Sequence, residues 1–171
     1  MSKITITINL NLQQIKEDVW NKTYVTGLRR NTGDNPEQVS LIQAGDEPES
    51  ERQIYRSIDN AFNSLKAVLG EYLSVISSNL VVINYPTAIP ETLTVTLNMP
   101  ANFNPAVEES LSSSMHSYIV SNAVAGWFAL TNPEESDVYL KASAALAERI
   151  SIMLMERIRP SKPEQKPVPE P

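Results

Sequence analysis

No cysteine occurs among the 171 residues, which excludes disulfides, thiolate metal sites and cysteine nucleophiles together and suits a chain that matures in a reducing cytoplasm. Glycine is scarce, at five residues, and none forms a Gly-x-x-x-x-Gly-Lys or Gly-x-Gly-x-x-Gly loop to cradle phosphate. The Gly-x-Ser-x-Gly elbow of serine hydrolases is missing too. No apolar run approaches the ~20 residues of a membrane span. The N-terminus lacks the basic start and unbroken apolar stretch of a signal peptide, because Ile4, Ile6 and Ile8 alternate with Thr5, Thr7 and Asn9. Positive charge is in deficit: a net charge of -6 argues against gripping a phosphate backbone, which needs clustered Lys and Arg. These absences predict a soluble, intracellular protein without membrane or nucleic-acid binding.

What is present is ordinary globular material, 42% apolar and 20% charged. A single domain of this length would bury roughly 70% of the surface its unfolded chain exposes, so a core needs no staples. Residues 1–10 read as a β arm with Ile4, Ile6, Ile8 and Leu10 on one face. Docking those side chains is worth ~6 to 12 kcal/mol gross, but ordering their backbone costs a comparable amount at ~1 to 2 kcal/mol per residue. The arm therefore needs a sheet or partner to receive it. Asn11 and Gln14 form a capping pair for a helix over residues 12–28, with Ile15, Val19, Tyr24 and Leu28 expected inward. The polar stretch 29–49 predicts a mobile or partner-ordered loop holding one short helix around Val39, Leu41 and Ile42.

The strongest periodicity starts near Ser50: Ile54, Ile58, Phe62, Leu65, Leu69, Tyr72 and Ile76 recur at helical spacing. A hairpin is predicted at about residues 80–98, pairing the run 80–84 with the alternating run 92–98 through a connection interrupted by Pro86 and Pro90. Leu93, Val95 and Leu97 share one of its faces, and the N-terminal arm is placed as a possible third strand. Asn104 and Pro105 open a helix carrying Val107, Leu111, Met115, Ile119, Ala123, Trp127 and Leu130. Asn132 and Pro133 end it and open the last, with Glu135 at the capping-box position and Val138, Ala142, Ala145, Leu146, Ile150, Met153 and Leu154 as its apolar face. Arg157 and Arg159 lie near its negative end, and Pro160 stops it. Five of the last twelve residues are proline, so the tail 160–171 is predicted to be extended. The fold class expected is predominantly α within α+β: three long helices and one shorter, a projecting β-hairpin, a β arm, a helical core over residues 11–159 and a Pro-rich tail.

Chemistry has few footholds. The single histidine, His116, has no metal-ligand spacing around it and reads as structural or surface. Glu134 and Asp137 supply half of the acidic set with which an all-α pyrophosphohydrolase would hold magnesium, but their place in a first helical turn is already explained by the helix dipole. Arg157, Arg159, Lys162 and Lys166 are interleaved with Glu156, Glu164 and Glu170, which favours a solvated or protein-binding tail. Trp127 and Phe128 belong in a core; Trp20, beside the inward Val19, is a candidate interface anchor. No catalytic residue, cofactor or metal ligand is expected.

Residues 114–160, SMHSYIVSNAVAGWFALTNPEESDVYLKASAALAERISIMLMERIRP, resemble small proteins encoded among the head and tail genes of phages and prophages of Bacteroides-like gut bacteria. The resemblance is carried by the helix ending in Trp127 and Phe128, the break at Asn132 to Glu135, and the stop at Arg157 to Pro160. It covers barely the last third of the chain. It implies a head-to-tail connector or head-completion adaptor: a ring of copies, commonly twelve, set between the portal protein and tail or stopper proteins. Such a protein sits in the neck of the virion, after assembly in the host cytoplasm. DNA would pass through the ring without specific binding, helped by acidic lining residues. On that footing the intersubunit contacts expected are Ile4, Ile6, Ile8, Leu10, Trp20, Leu93, Val95, Leu97, Arg157, Arg159, Pro163 and Pro167. Another phage part, such as a tail-completion protein, would share all these features, and a magnesium-dependent pyrophosphohydrolase is the rival from a different class.

Overall fold

A computed structural model describes residues 3–30, 36–45, 47–76 and 83–158. The order is β1 (Lys3–Asn11), α1 (Leu12–Arg29), the short α2 (Pro36–Ile42), α3 (Pro48–Leu69), a 3-10 turn (Gly70–Tyr72), β2 (Thr92–Pro100), a second 3-10 turn (Pro105–Val107), α4 (Glu108–Thr131) and α5 (Pro133–Met155). The fold of the described residues is α+β and predominantly α, as expected, with α3, α4 and α5 of 22 to 24 residues, a shorter α1 of 18 and the brief α2.

The sheet has two antiparallel strands, but its partners differ from the local hairpin predicted. β2 pairs with the N-terminal arm, Lys3 opposite Pro100 through Asn11 opposite Thr92 without a bulge. Of the run expected to pair with β2, residues 80–82 lie outside the described residues, and Asn84 bridges Ala88 in its own tight turn. The arm won because its apolar period matches that of β2: Ile4, Ile6, Ile8 and Leu10 stand opposite Met99, Leu97, Val95 and Leu93 on one face. Leu93, Val95, Leu97 and Met99 are wholly buried and Ile6, Ile8 and Leu10 nearly so, so the sheet is a wall of the core and does not project from it. On its other edge β2 meets Leu73 opposite Leu97, where the Ser74 N–H donates to the Thr96 carbonyl at 2.9 Å.

α4 is the central helix, burying Leu111, Met115, Tyr118, Ile119, Ala123, Val124, Trp127 and Phe128. Of its expected inward residues only Leu130 points out, at 72% exposure. In α1 the Asn11 Oδ1 accepts from the Gln14 N–H at 2.9 Å, as the capping pair predicts. The inward stripe continues through Thr23 and Thr26, not through Tyr24 and Leu28, which are exposed. α3 stops at Leu69 because Gly70 takes φ +50°, so Tyr72 and Ile76, expected to extend its stripe, lie beyond the helix.

α5 presents the predicted face in its C-terminal half, where Ile150, Met153 and Leu154 are buried and Leu146 packs against the core, but not in its N-terminal half. Ser136, Ser143, Ile150, Met153 and Leu154 are buried, while Val138 is 59% exposed and Ala142 and Ala145 face out. Small serines bring α5 close to α4: the Ser136 Oγ donates to the Ala125 carbonyl at 2.9 Å, a contact that a hydrophobic count passes over. α5 ends at Met155, earlier than Pro160. Residues 156–158 then run antiparallel to residues 102–104, with Arg157 opposite Phe103 and the Ile158 N–H donating to the Asn102 carbonyl at 2.8 Å.

Candidate functional site

Among the described residues, α1, α3 and the turn after residue 83 bring together a charged cluster whose members, Lys16, Glu51 and Tyr85, move one another's pKa. Lys16 projects from α1 and Glu51 from the first turn of α3, with Lys16 Nζ 2.6 Å from Glu51 Oε1. The Tyr85 hydroxyl donates to Glu51 Oε2 at 3.0 Å, its ring stacks on Tyr55 at 5.4 Å, and the Lys16 ammonium lies 5.5 Å from the Tyr55 ring centroid. The Tyr85–Pro86 peptide bond is cis. Partial burial works against the charge of Lys16, but the hydrogen bond and charge of Glu51 outweigh it and hold the lysine above its ordinary range. The hydrogen bond from Lys16, aided by Tyr85, holds Glu51 below the usual carboxylate range against some desolvation. Accepting by Glu51 in turn raises the Tyr85 phenol. All three shifts move away from neutrality, so the cluster is a charged clasp between elements. General acid or base work needs the opposite, a group tuned toward the working pH.

Beside this clasp lies a groove of about 410 Å³ lined by Trp20, Asn21, Tyr24, Ser40, Gln43, Ala44 and Gly45. Trp20, expected as an interface anchor, is partly buried and donates its indole N–H to the Ala44 carbonyl. Trp127 donates likewise to the Ile42 carbonyl at 2.9 Å, and the Ala44 N–H donates to Thr23 Oγ1 at 3.4 Å. Two tryptophans from separate helices thus fasten the segment after α2, with Val39 and Ile42 buried. The described part of the polar stretch is held by the core, a correction to the loop expected there.

His116, Glu134 and Glu135 are spent on neighbours. His116 Nε2 lies 2.8 Å from Asp18 Oδ2, joining α4 to α1. Glu134 and Glu135 flank Arg30 at 3.4 and 3.3 Å, so Glu135 serves an ion pair in place of the capping box expected of it. Asn132, at the N-cap position, makes no side-chain capping bond, and its Nδ2 is buried without a hydrogen-bond partner. Among the described residues no three His, Asp or Glu side chains come together to hold a metal, which leaves Glu134 and Asp137 without the rest of a magnesium set there.

The residues expected to touch neighbouring subunits divide sharply. Ile6, Ile8, Leu10, Leu93, Val95 and Leu97 are consumed by the chain's own core, because the arm finds its receiving strand within the molecule. Ile4 alone of that set stays 37% exposed. Arg157 donates to the Leu154 carbonyl at 2.8 Å and to the Glu156 carbonyl at 3.0 Å, closing the end of α5. Arg159, Pro163 and Pro167 lie outside the described residues. What faces outward is different apolar surface: Val138, Leu140, Ile152 and Met155 on α5, with Ile158 just beyond it, exposed by 47 to 64%. Ala142 and Ala145 share that outer surface, and Val107, Ser110, Glu148, Arg149 and Ile152 line a groove along it. Sequence periodicity flagged Val138, Ala142 and Ala145 as apolar but assigned them inward.

Among the described residues no helix is long and apolar enough to cross a membrane. No protein family, curated protein or solved structure matches this chain.

Proposed function

We propose that this chain works by joining other polypeptides, as a ring-forming connector subunit in the neck of a tailed bacteriophage, set between portal and tail. The observation that carries the proposal is the outer side of α5. A helix of 23 residues that buries one side against the core and leaves Val138, Ala142, Ala145 and Ile152 exposed at helical spacing on the other has a second apolar surface available for a neighbour. Head-to-tail contacts of such a surface with a different patch on the next copy form a ring when the rotation between copies closes. Copies of the chain are the first partner, commonly twelve in adaptors of the type that residues 114–160 resemble. Portal and tail or stopper proteins are the next, and DNA passes through the opening. The net charge of -6 per copy, multiplied around a ring, discourages DNA from sticking.

Native mass measurement of the full chain, alone and mixed with a phage portal protein, tests the proposal. A ring-sized species is expected, reduced to smaller units by Val138→Asp with Ile152→Asp while the helical signal stays intact. Removing residues 160–171 is expected to weaken assembly and spare the fold. A wild-type chain that stays monomeric at high concentration and ignores portal overturns the connector.

A further inference from the structure

The outer edge of β1 is built for pairing. In an antiparallel pair, successive residues point their N–H and C=O groups alternately to opposite edges. The Thr96 carbonyl accepts from Ser74 on the far side of β2, so Thr96 faces away from β1 and its neighbours Val95 and Leu97 face toward it. The Leu12 N–H donating to the Glu91 carbonyl at 3.0 Å continues the same phase. Across the sheet, Ile4, Ile6, Ile8 and Leu10 therefore spend their backbone groups on β2, while those of Thr5, Thr7 and Asn9 point to the outer edge. Among the described residues no strand lies there.

Edge strands are ordinarily protected by charge, proline, a bulge or shortness. β1 is nine residues long, has no proline, keeps an unbroken register, and carries one charge, Lys3, at its end. We propose that two copies of this chain pair through β1, antiparallel about a two-fold axis at Thr7, to form one continuous four-stranded sheet. The strand is self-complementary in that register. Thr7 meets Thr7 of the second copy, Thr5 meets Asn9 and Lys3 meets Asn11, so hydroxyl and amide groups face each other and no like charges oppose. On the other face Ile6 meets Ile8 and Ile4 meets Leu10. Ile4, the one apolar residue of this face left 37% exposed, gains an apolar neighbour from the second copy. A two-fold axis perpendicular to the sheet keeps both apolar faces on the same side, toward their own helices. This pairing is independent of the connector proposal.

Charge substitution at Thr7, whose side chain is exposed on the solvent face, tests it on the full chain. Thr7→Lys or Thr7→Glu alone sets like charges across the axis and is expected to weaken self-association roughly tenfold or more, while an equimolar mixture of the two restores it. Sedimentation across a concentration series reads both effects. Amide exchange gives a readout that needs no variant: Thr5, Thr7 and Asn9 should be protected when concentrated and exchange freely on dilution, with Ile6 and Ile8 protected throughout. Outward amides that exchange freely at every concentration, or single variants that associate as wild type does, overturn the pairing. A ring that survives in the single variants while its doubling through β1 is lost leaves both readings standing; a doubled species that survives as well overturns the pairing and leaves the connector standing.

Discussion

Lys16 and Glu51 stand 35 positions apart, and neither helix pattern points to the other. Their clasp nevertheless sets a pH dependence whose sign follows from the shifts. Glu51 lies below its ordinary value of 4.5, so its contribution is present above that value and is lost as pH falls through the depressed folded value. Lys16 lies above 10.5, so its contribution is present below that value and is lost as pH rises through the raised one. Tyr85, raised above 10.0, adds to the loss on the alkaline side. Glu51 is about one-third exposed, and water screens the pair. Replacing Glu51 with Gln should therefore cost about 1 kcal/mol near neutral pH. That difference should fade in acid below the carboxylate range. Urea unfolding of both proteins at neutral and acidic pH checks it; an equal cost at both would assign the effect to packing.

Helix ends and helix faces were legible to different degrees. Asn11 and Gln14 announce the start of α1, and Pro133 the start of α5, because caps and first-turn prolines are local chemistry. The end of α3 is marked by Gly70, a signal that the longer apolar period through Tyr72 and Ile76 overrode. At φ +50° a side chain is disfavoured, and a Cβ there would meet nothing within 4 Å, so conformation alone sets the cost. Gly70→Ala should destabilise by about 1 to 2 kcal/mol, read as a thermal midpoint lower by several degrees with unchanged helical content. A neutral substitution would show that the turn relaxes. The facing of α5 was legible toward its end, at Leu146, Ile150, Met153 and Leu154, but not near its start, where the buried side is marked by Ser136 and Ser143 and Val138 faces water.

At the scale of the whole molecule the N-terminal strand is structural, tied to a partner about 90 residues away. Removing residues 1–11 strips Ile6, Ile8 and Leu10 from the core and uncovers Leu93, Val95 and Leu97. Three buried side chains at ~1.5 to 3 kcal/mol each rival the full stability of a typical domain, ~5 to 15 kcal/mol. The truncated chain should lose its cooperative thermal transition. Removing residues 160–171 should leave that transition in place, since the described residues already assemble a continuous core. Calorimetry on the two truncations separates these outcomes, and a cooperative N-terminal truncation would make β1 an accessory arm after all.

The amino-acid order by itself determined the helices, the two alternating strands and the mainly α class, because apolar period, caps and prolines act over a few residues. Only tertiary structure decided which strands paired, which side of α5 faced water near its start and where the tryptophans donated. Those outcomes turn on matching surfaces far apart in the chain: an arm chose β2 because two apolar faces and one register agreed, and a serine displaced a valine because closeness to α4 mattered more there than hydrophobicity.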